Sequence, residues 1–372
     1  MSKVLKFFII MTLTLFSLGC TSLFINQEKP KTVKEKSDTP IEQKNNKDTD
    51  TDKIQDFKTL TSGIISDISS SGDTIALVIQ DDQNKDSLSQ QENKNTLSLY
   101  YLKNQKIRPI LSSRSNIKSS KFDAQETGLY YLENIDASDS QLYWIDDTGH
   151  KKIKISSSDH FISSNFYLTP NNDVYYGTKD GKIIQANKDY PNYIISTINL
   201  GTNYNIQQIY YSKKKKIIVF SAYKNEQLNL YTLDPKTKKI NLVISKIAPD
   251  FSFSKNEDNL LYTTVISDSN KRILWLMNLR NKNSVKIVEG FPHKAIFSSQ
   301  ENQIIYLDKT DPNNDLQNIW VYDLEKKKKK QIASNLKIAS DIYWNPKGEG
   351  LLFSTYDTTE NQLHSRVYLL KY

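Results

Sequence analysis

The chain has 372 residues, 37% hydrophobic and 25% charged, with 11 Gly and 10 Pro, which is enough to bury a core and excludes collagen-like and wholly disordered chains. One Cys and four His exclude an intramolecular disulfide framework and a cysteine-based zinc cluster. The formal charge of +8 includes Lys3 and Lys6 of the N-terminal segment, and the modest remainder does not imply nucleic-acid binding.

Residues 1–19 read as a leader: two Lys, the apolar run Phe7 to Phe16, then Ser17-Leu18-Gly19 ahead of Cys20. A run this short between positive charge and small residues is an export signal rather than a bilayer-spanning helix. Gly19-Cys20 resembles the lipobox of bacterial lipoproteins, which implies cleavage before Cys20 and acylation of its sulfur. That pattern usually has Leu three residues before the Cys, where this chain has Ser17. The partner implied at Cys20 is a membrane, held by about 0.8 kcal/mol per buried methylene. An ordinary export signal, or an uncleaved anchor with Cys20 a passive apolar residue, is the alternative reading. Residues 20–55 carry seven Lys against seven acids after Cys20 and almost no large apolar side chain after Ile25. Such a composition cannot offset its ordering entropy and predicts a disordered tether.

From residue 56 to 372 short apolar strands recur, marked by Ile75, Leu129, Val174, Ile217, Leu260, Ile304 and Leu351 at spacings of 54, 45, 43, 43, 44 and 47. A second, aromatic strand follows each marker, as in Leu228 to Leu233, then a polar turn and a third strand, as in Ile240 to Ile244. A fourth precedes each marker, as in Phe251 to Ser254. A period near 44 built from strands alone predicts an all-β, seven-bladed β-propeller of four-stranded antiparallel blades. The last repeat stops after its third strand, and an unpaired edge is an aggregation hazard. Residues 57 to 61 have the character of an outer strand and are expected to complete the seventh blade.

Asn345-Pro346-Lys347-Gly348 before Leu351 to Thr355, with Ile319-Trp320-Val321-Tyr322-Asp323-Leu324, resembles the TolB-like, WD40-like propeller repeat, whose pattern is a Ser-Pro-Asp-Gly turn, a strand, then an Ile-Tyr-x-x-Asp-Leu strand. The likeness covers residues 57 to 372 but is degenerate, with Ser-Lys-Asn-Glu, Ser-Gln-Glu-Asn and Ser-Lys-Lys-Lys in the turns of blades five, six and four. TolB itself carries an α/β domain before its propeller, for which the tether leaves no room. The resemblance implies the fold and an envelope setting and assigns no binding residue.

No Gly-rich phosphate loop, HExxH, GxSxG or Asp-box series is present, so no catalytic residue, cofactor or metal is assigned and the chain is expected not to be an enzyme. His150, His160, His293 and His364 are scattered among blades. Asp81-Asp82 and Asp311/Asp315 could supply oxygen ligands to calcium, but polar loop tips explain them as well. Loops after each marker strand are rich in acids, and turns between the next two strands are rich in Lys, with Lys326, Lys327, Lys328, Lys329 and Lys330 consecutive. Alternation of strand direction puts these on opposite faces, so a charge-separated disc is expected. Its candidate partner-binding residues are those five Lys together with Asp81, Asp82, Asp311 and Asp315.

The expected function is a monomeric, membrane-anchored extracytoplasmic scaffold that docks an envelope protein, by analogy an accessory subunit of an outer-membrane assembly or Tol–Pal-like complex. The periplasmic face of the outer membrane is favoured over the cell surface or the outer face of the cytoplasmic membrane. The alternatives are an enzyme or small-ligand binder at the channel mouth, for which Asp67, Arg114, Asp159, His160, Asp250, His293 and Lys337 are the nearest groups, and a surface adhesin.

Overall fold

The computed structural model describes residues 57–372 apart from 82–93, 135–138, 158–160, 164, 191, 267–268, 270, 349 and 360–361. The expected leader, tether and acylated Cys20 lie outside the described residues, as do Asp82, Asp159 and His160. The described residues form seven antiparallel four-stranded sheets and no helix. Each sheet is one blade, its strands lettered a to d from the axis outward. Blade 1 is Ile64–Ile68, Thr74–Asp81, Lys94–Tyr101 and Lys106–Ser113. Its b and c strands pair as far as Gln80 with Asn95 and Asp81 with Lys94.

Blade 7 draws on both ends of the chain. Strands a to c are Tyr343–Trp344, Leu351–Thr359 and Gln362–Leu370, and strand d is Phe57–Ser62, with Phe57 opposite Leu370 and Ser62 opposite Arg366. The expected closure is present, and the c strand of the last repeat has its backbone partners.

Each seam between blades holds one cluster of buried side chains. The b strands are apolar on both faces because they supply two seams at once. In blade 6, Ile304 and Tyr306 pack toward blade 5, while Ile305 and Leu307 pack toward blade 7. Tyr131, Tyr176 and Tyr306, at equivalent b-strand positions, are fully buried, so the tyrosine richness is largely blade packing.

The a–b turns follow one scheme. In most blades the first residue turns a side-chain oxygen onto a following backbone N–H, as Ser69, Asp123, Thr169, Ser254, Ser298 and Asn345 do. The turn of blade 6 therefore starts at Ser298, one residue before the frame expected from the sequence. The fourth residue is left-handed: Gly72 (φ 70°), Glu126 (56°), Asn172 (63°), Glu257 (57°), Glu301 (57°) and Gly348 (76°). A side chain there costs about 1–2 kcal/mol, and the four non-glycine residues offset this by reaching into the preceding blade. Glu126 Oε1 accepts from the N–H and hydroxyl of Ser70, both at 2.6 Å, and Asn172 Oδ1 from Ala124 N at 2.7 Å. Glu257, buried, accepts from Lys213 N (3.1 Å), Lys214 N (3.2 Å) and the Ser212 hydroxyl, and Glu301 accepts from Asn256 N (3.0 Å). Where the second turn residue is Pro170 or Pro346 there is no N–H to offer, and the following blade has Lys215 or Gly72 in the fourth place.

Candidate functional site

Alternation of strand direction gives the wheel two faces. One carries the b–c loops and the links from each d strand to the next a strand; the other carries the a–b and c–d turns. The remaining five a strands are Ile117–Phe122, Tyr167–Leu168, Asn205–Ser212, Ile247–Phe253 and Pro292–Phe297, and those of blades 1 and 2 and of blades 3 to 6 contact their neighbours.

Several of the groups named for a site at the channel mouth lie within a strands. Asp67 is on the a strand of blade 1, where its Oδ2 accepts from Phe122 N at 2.8 Å and burial holds its pKa above the ordinary value. Its role there is to tie blade 2 to blade 1. Asp250 and His293 are on the a strands of blades 5 and 6. The His293 ring sits between Gln317 Oε1 (3.0 Å) and Phe291 O (3.2 Å), and burial lowers its pKa, favouring neutral imidazole. Nearby Asp308, raised by burial, accepts from Phe291 N at 2.8 Å. Arg114 and Lys337 do lie in d–a links and are exposed. Among the described residues no three of His, Cys, Asp and Glu come together as metal ligands.

The loop acids divide by environment. Asp311 accepts from Asn313 N at 2.9 Å and shapes its own loop, whereas Asp315 projects outward, 90% exposed, with Lys309 at 4.0 Å. Asp81 ends the b strand of blade 1. Other acids of that face are matched by bases: Asp139 by Lys179, Asp180 by Lys182, and Asp357 by Arg366. The five consecutive lysines are all exposed and climb the outer edge of blade 6, where Lys328–Leu336 is the d strand. Lys326 pairs with Asp323 at 3.6 Å, and the Lys329 ammonium lies 5.0 Å from the centre of the Trp320 ring.

Sequence reasoning missed a hollow on the b–c face between blades 4 and 5. It has a volume of about 470 Å³ and is lined by Tyr223, Leu228, Lys246, Ile247 and Val265. The hairpin that forms its rim turns at Asn225 and Glu226, both left-handed, so that Lys224 pairs directly with Gln227 and Tyr223 is held at the edge. Tyr223 is 39% and Val265 45% exposed. The signal in the sequence was an apolar residue where each strand reaches its loop, and strand propensity alone accounts for such residues.

No protein-family model matches the chain, and no curated protein matches it. Solved structures share its fold. An oligogalacturonate lyase from Vibrio parahaemolyticus superposes with a TM-score of 0.61 at 9% identity, covering 85% of this chain and 96% of that one. The WD40 propeller domain of Doa1 gives 0.55 at 9%, covering 84% and 97%. TolB from Acinetobacter baumannii gives 0.44 at 14%, covering 80% of each, and carries no argument at that score. The wheel is thus a seven-bladed β-propeller. The expectation that the chain is not an enzyme is corrected: a lyase is built on the same wheel, so the missing nucleophile and metal motifs do not exclude catalysis.

Proposed function

We propose that the chain is a lipid-anchored, extracytoplasmic propeller that docks an envelope protein on its b–c face. The observation that carries the docking is the hollow between blades 4 and 5. Exposed Tyr223 and Val265 beside buried Leu228 and Ile247 give a shallow depression with an apolar floor, edged by Asn225, Glu226, Gln227 and Lys246, on which a partner side chain can settle. Asp311 and Asp315, with Asp81 at the end of the blade 1 b strand and Asp82 after it, are the proposed peripheral contacts, where charge sets approach and partner choice. Support for the anchor is the sequence alone: the short leader and Gly19-Cys20. The periplasmic face of the outer membrane is the favoured site, and protease accessibility in whole cells against lysed cells separates it from the cell surface.

The test uses the full chain, solubilised from membranes and affinity-purified. A stoichiometric envelope protein should accompany the wild type and fall at least tenfold with Tyr223→Ala, as for an interface hot spot. Undiminished recovery with Tyr223→Ala overturns the docking site. Separately, Cys20→Ala should move the chain out of the membrane fraction; unchanged fractionation overturns the anchor.

A further inference from the structure

We infer that the opposite face, built from the a–b and c–d turns, rests on an anionic lipid bilayer. The route of the chain points there first. The c strand of blade 7 runs from its b–c loop to end at Leu370 on the turn face, and Phe57 is paired with Leu370. The polypeptide therefore enters the wheel at the turn face. An anchor at Cys20 is thus joined to the wheel through this face rather than through the other. In taking the surface to be a membrane, the inference rests on the anchored reading.

Charge placement points the same way. Several acids of this face turn their oxygens to the backbone, while Asp73, Asp189 and Glu325 stay exposed. Glu257 and Glu301 hold N–H groups of the preceding blade, Asp234 accepts from Lys236 N (2.8 Å) and Thr237 N (3.2 Å), and Asp323 accepts from Glu325 N (3.0 Å) and Lys326 N (2.8 Å). The lysines of the same turns point outward: Lys236, Lys238 and Lys239 in blade 4 and Lys326, Lys327 and Lys328 in blade 6 are all exposed. In the c–d turns of blades 4 and 6 the lysines outnumber the acids, Asp234 in one and Asp323 with Glu325 in the other, so the outward charge of these two turns is positive. Tyr190, 52% exposed in the c–d turn of blade 3, adds an amphipathic ring of the type that settles at a headgroup layer.

The experiment uses the chain from residue 21, which lacks the leader and Cys20 but keeps all seven blades and the closing strand. Binding to phosphatidylcholine vesicles is compared with binding to vesicles containing phosphatidylglycerol. The expected result is binding to the anionic vesicles alone, weakening as salt rises. Each lysine near such a surface is worth about fivefold. The triple variants Lys236→Glu/Lys238→Glu/Lys239→Glu and Lys326→Glu/Lys327→Glu/Lys328→Glu should therefore each lose at least tenfold. Lys94→Glu/Lys271→Glu/Lys337→Glu, equal in charge change but on the b–c face, should bind like the wild type. Thermal melts of all three check that the wheel is intact. Equal binding to neutral vesicles, or equal loss in the b–c face variant, overturns the inference. Because this chain has no Cys20, the result is independent of the fractionation test of the anchor.

Discussion

The seam between blades 4 and 5 and the seam between blades 7 and 1 solve one problem in different ways. At the first, the buried Glu257 gathers two backbone N–H groups and a hydroxyl from the preceding turn. At the second, Gly72 takes the equivalent place. A Cβ there would come within 2.8 Å of Asn345 Oδ1, and Pro346 has no N–H to give. That seam is held by Tyr343 OH donating to Ser66 O (2.8 Å), Ile65 N donating to Ser354 Oγ (2.8 Å) and a Lys347–Asp73 ion pair, inside a blade already closed by Phe57–Ser62. A seam can thus carry a latch from the following turn, as Glu257 does, or, where Pro170 or Pro346 has no N–H to give, go without one.

The sharpest way to break this comparison is to remove the lock. Starting the chain at residue 63 deletes the closing strand and uncovers the edge of Gln362–Leu370, so loss of the single cooperative melt and of monodispersity in size-exclusion chromatography is expected. A truncated chain that melts with the full wheel would show that closure matters little. Phe353→Ala, fully buried between blades 6 and 7, should cost about 3–5 kcal/mol in denaturant unfolding.

The latches should then fall in order of burial. Glu257→Ala leaves buried donors unmatched and should cost about 2–3 kcal/mol, whereas Glu301→Ala, with one bond from Asn256 N, should cost about 1 kcal/mol. Equal losses would mean that the latch is not graded by what it satisfies. Glu301→Gly should cost less than Glu301→Ala, because glycine relieves the left-handed backbone while the bond is lost in both. Gly72→Ala, lacking both the space and the backbone conformation, should cost about 1–2 kcal/mol.

The smallest effects are in pH dependence, and they have opposite signs. Burial raises the Asp67 pKa, so the folded wheel prefers its protonated form; that contribution is full below about pH 4 and is lost as pH rises through the folded value. Asp67→Asn, which keeps an oxygen for Phe122 N, should raise the melting temperature at pH 7 and leave it unchanged at pH 3. Asp258, between Arg280 and Lys214, is lowered to about 2, so its contribution is present above about pH 4 and disappears as pH falls toward 2. Asp258→Asn should lower stability at pH 7 and flatten the acid limb of the melting curve between pH 4 and 2. Melts of both variants from pH 2 to 8 check the signs.

The wheel was legible because each blade repeats the same two-sided burial, so apolar b strands return at one period and the spare strand near residue 57 has one place to go. The latches were visible only as departures from a Ser-Pro-Asp-Gly turn. Glu126, Glu257 and Glu301 act on backbone groups 56, 44 and 45 positions earlier, about one blade away, where local pattern has no reach. Asp67 was misplaced for a related reason: a polar residue in a strand reads as a loop unless the neighbouring blade's N–H is known to meet it. The hollow at Tyr223 depends on two adjacent blades and has no motif of its own.

Because Phe57–Ser62 is synthesised before the other strands of the wheel yet pairs only with the last, a product cut short at the carboxyl end carries a partnerless ribbon at one end and an open sheet at the other. A ribosome that stops early, or a protease that trims the carboxyl end as far as Arg366, leaves a molecule marked as incomplete by the same exposed edge. Burial of the ribbon and coverage of the open edge become one event, timed by the emergence of the strand that ends at Leu370.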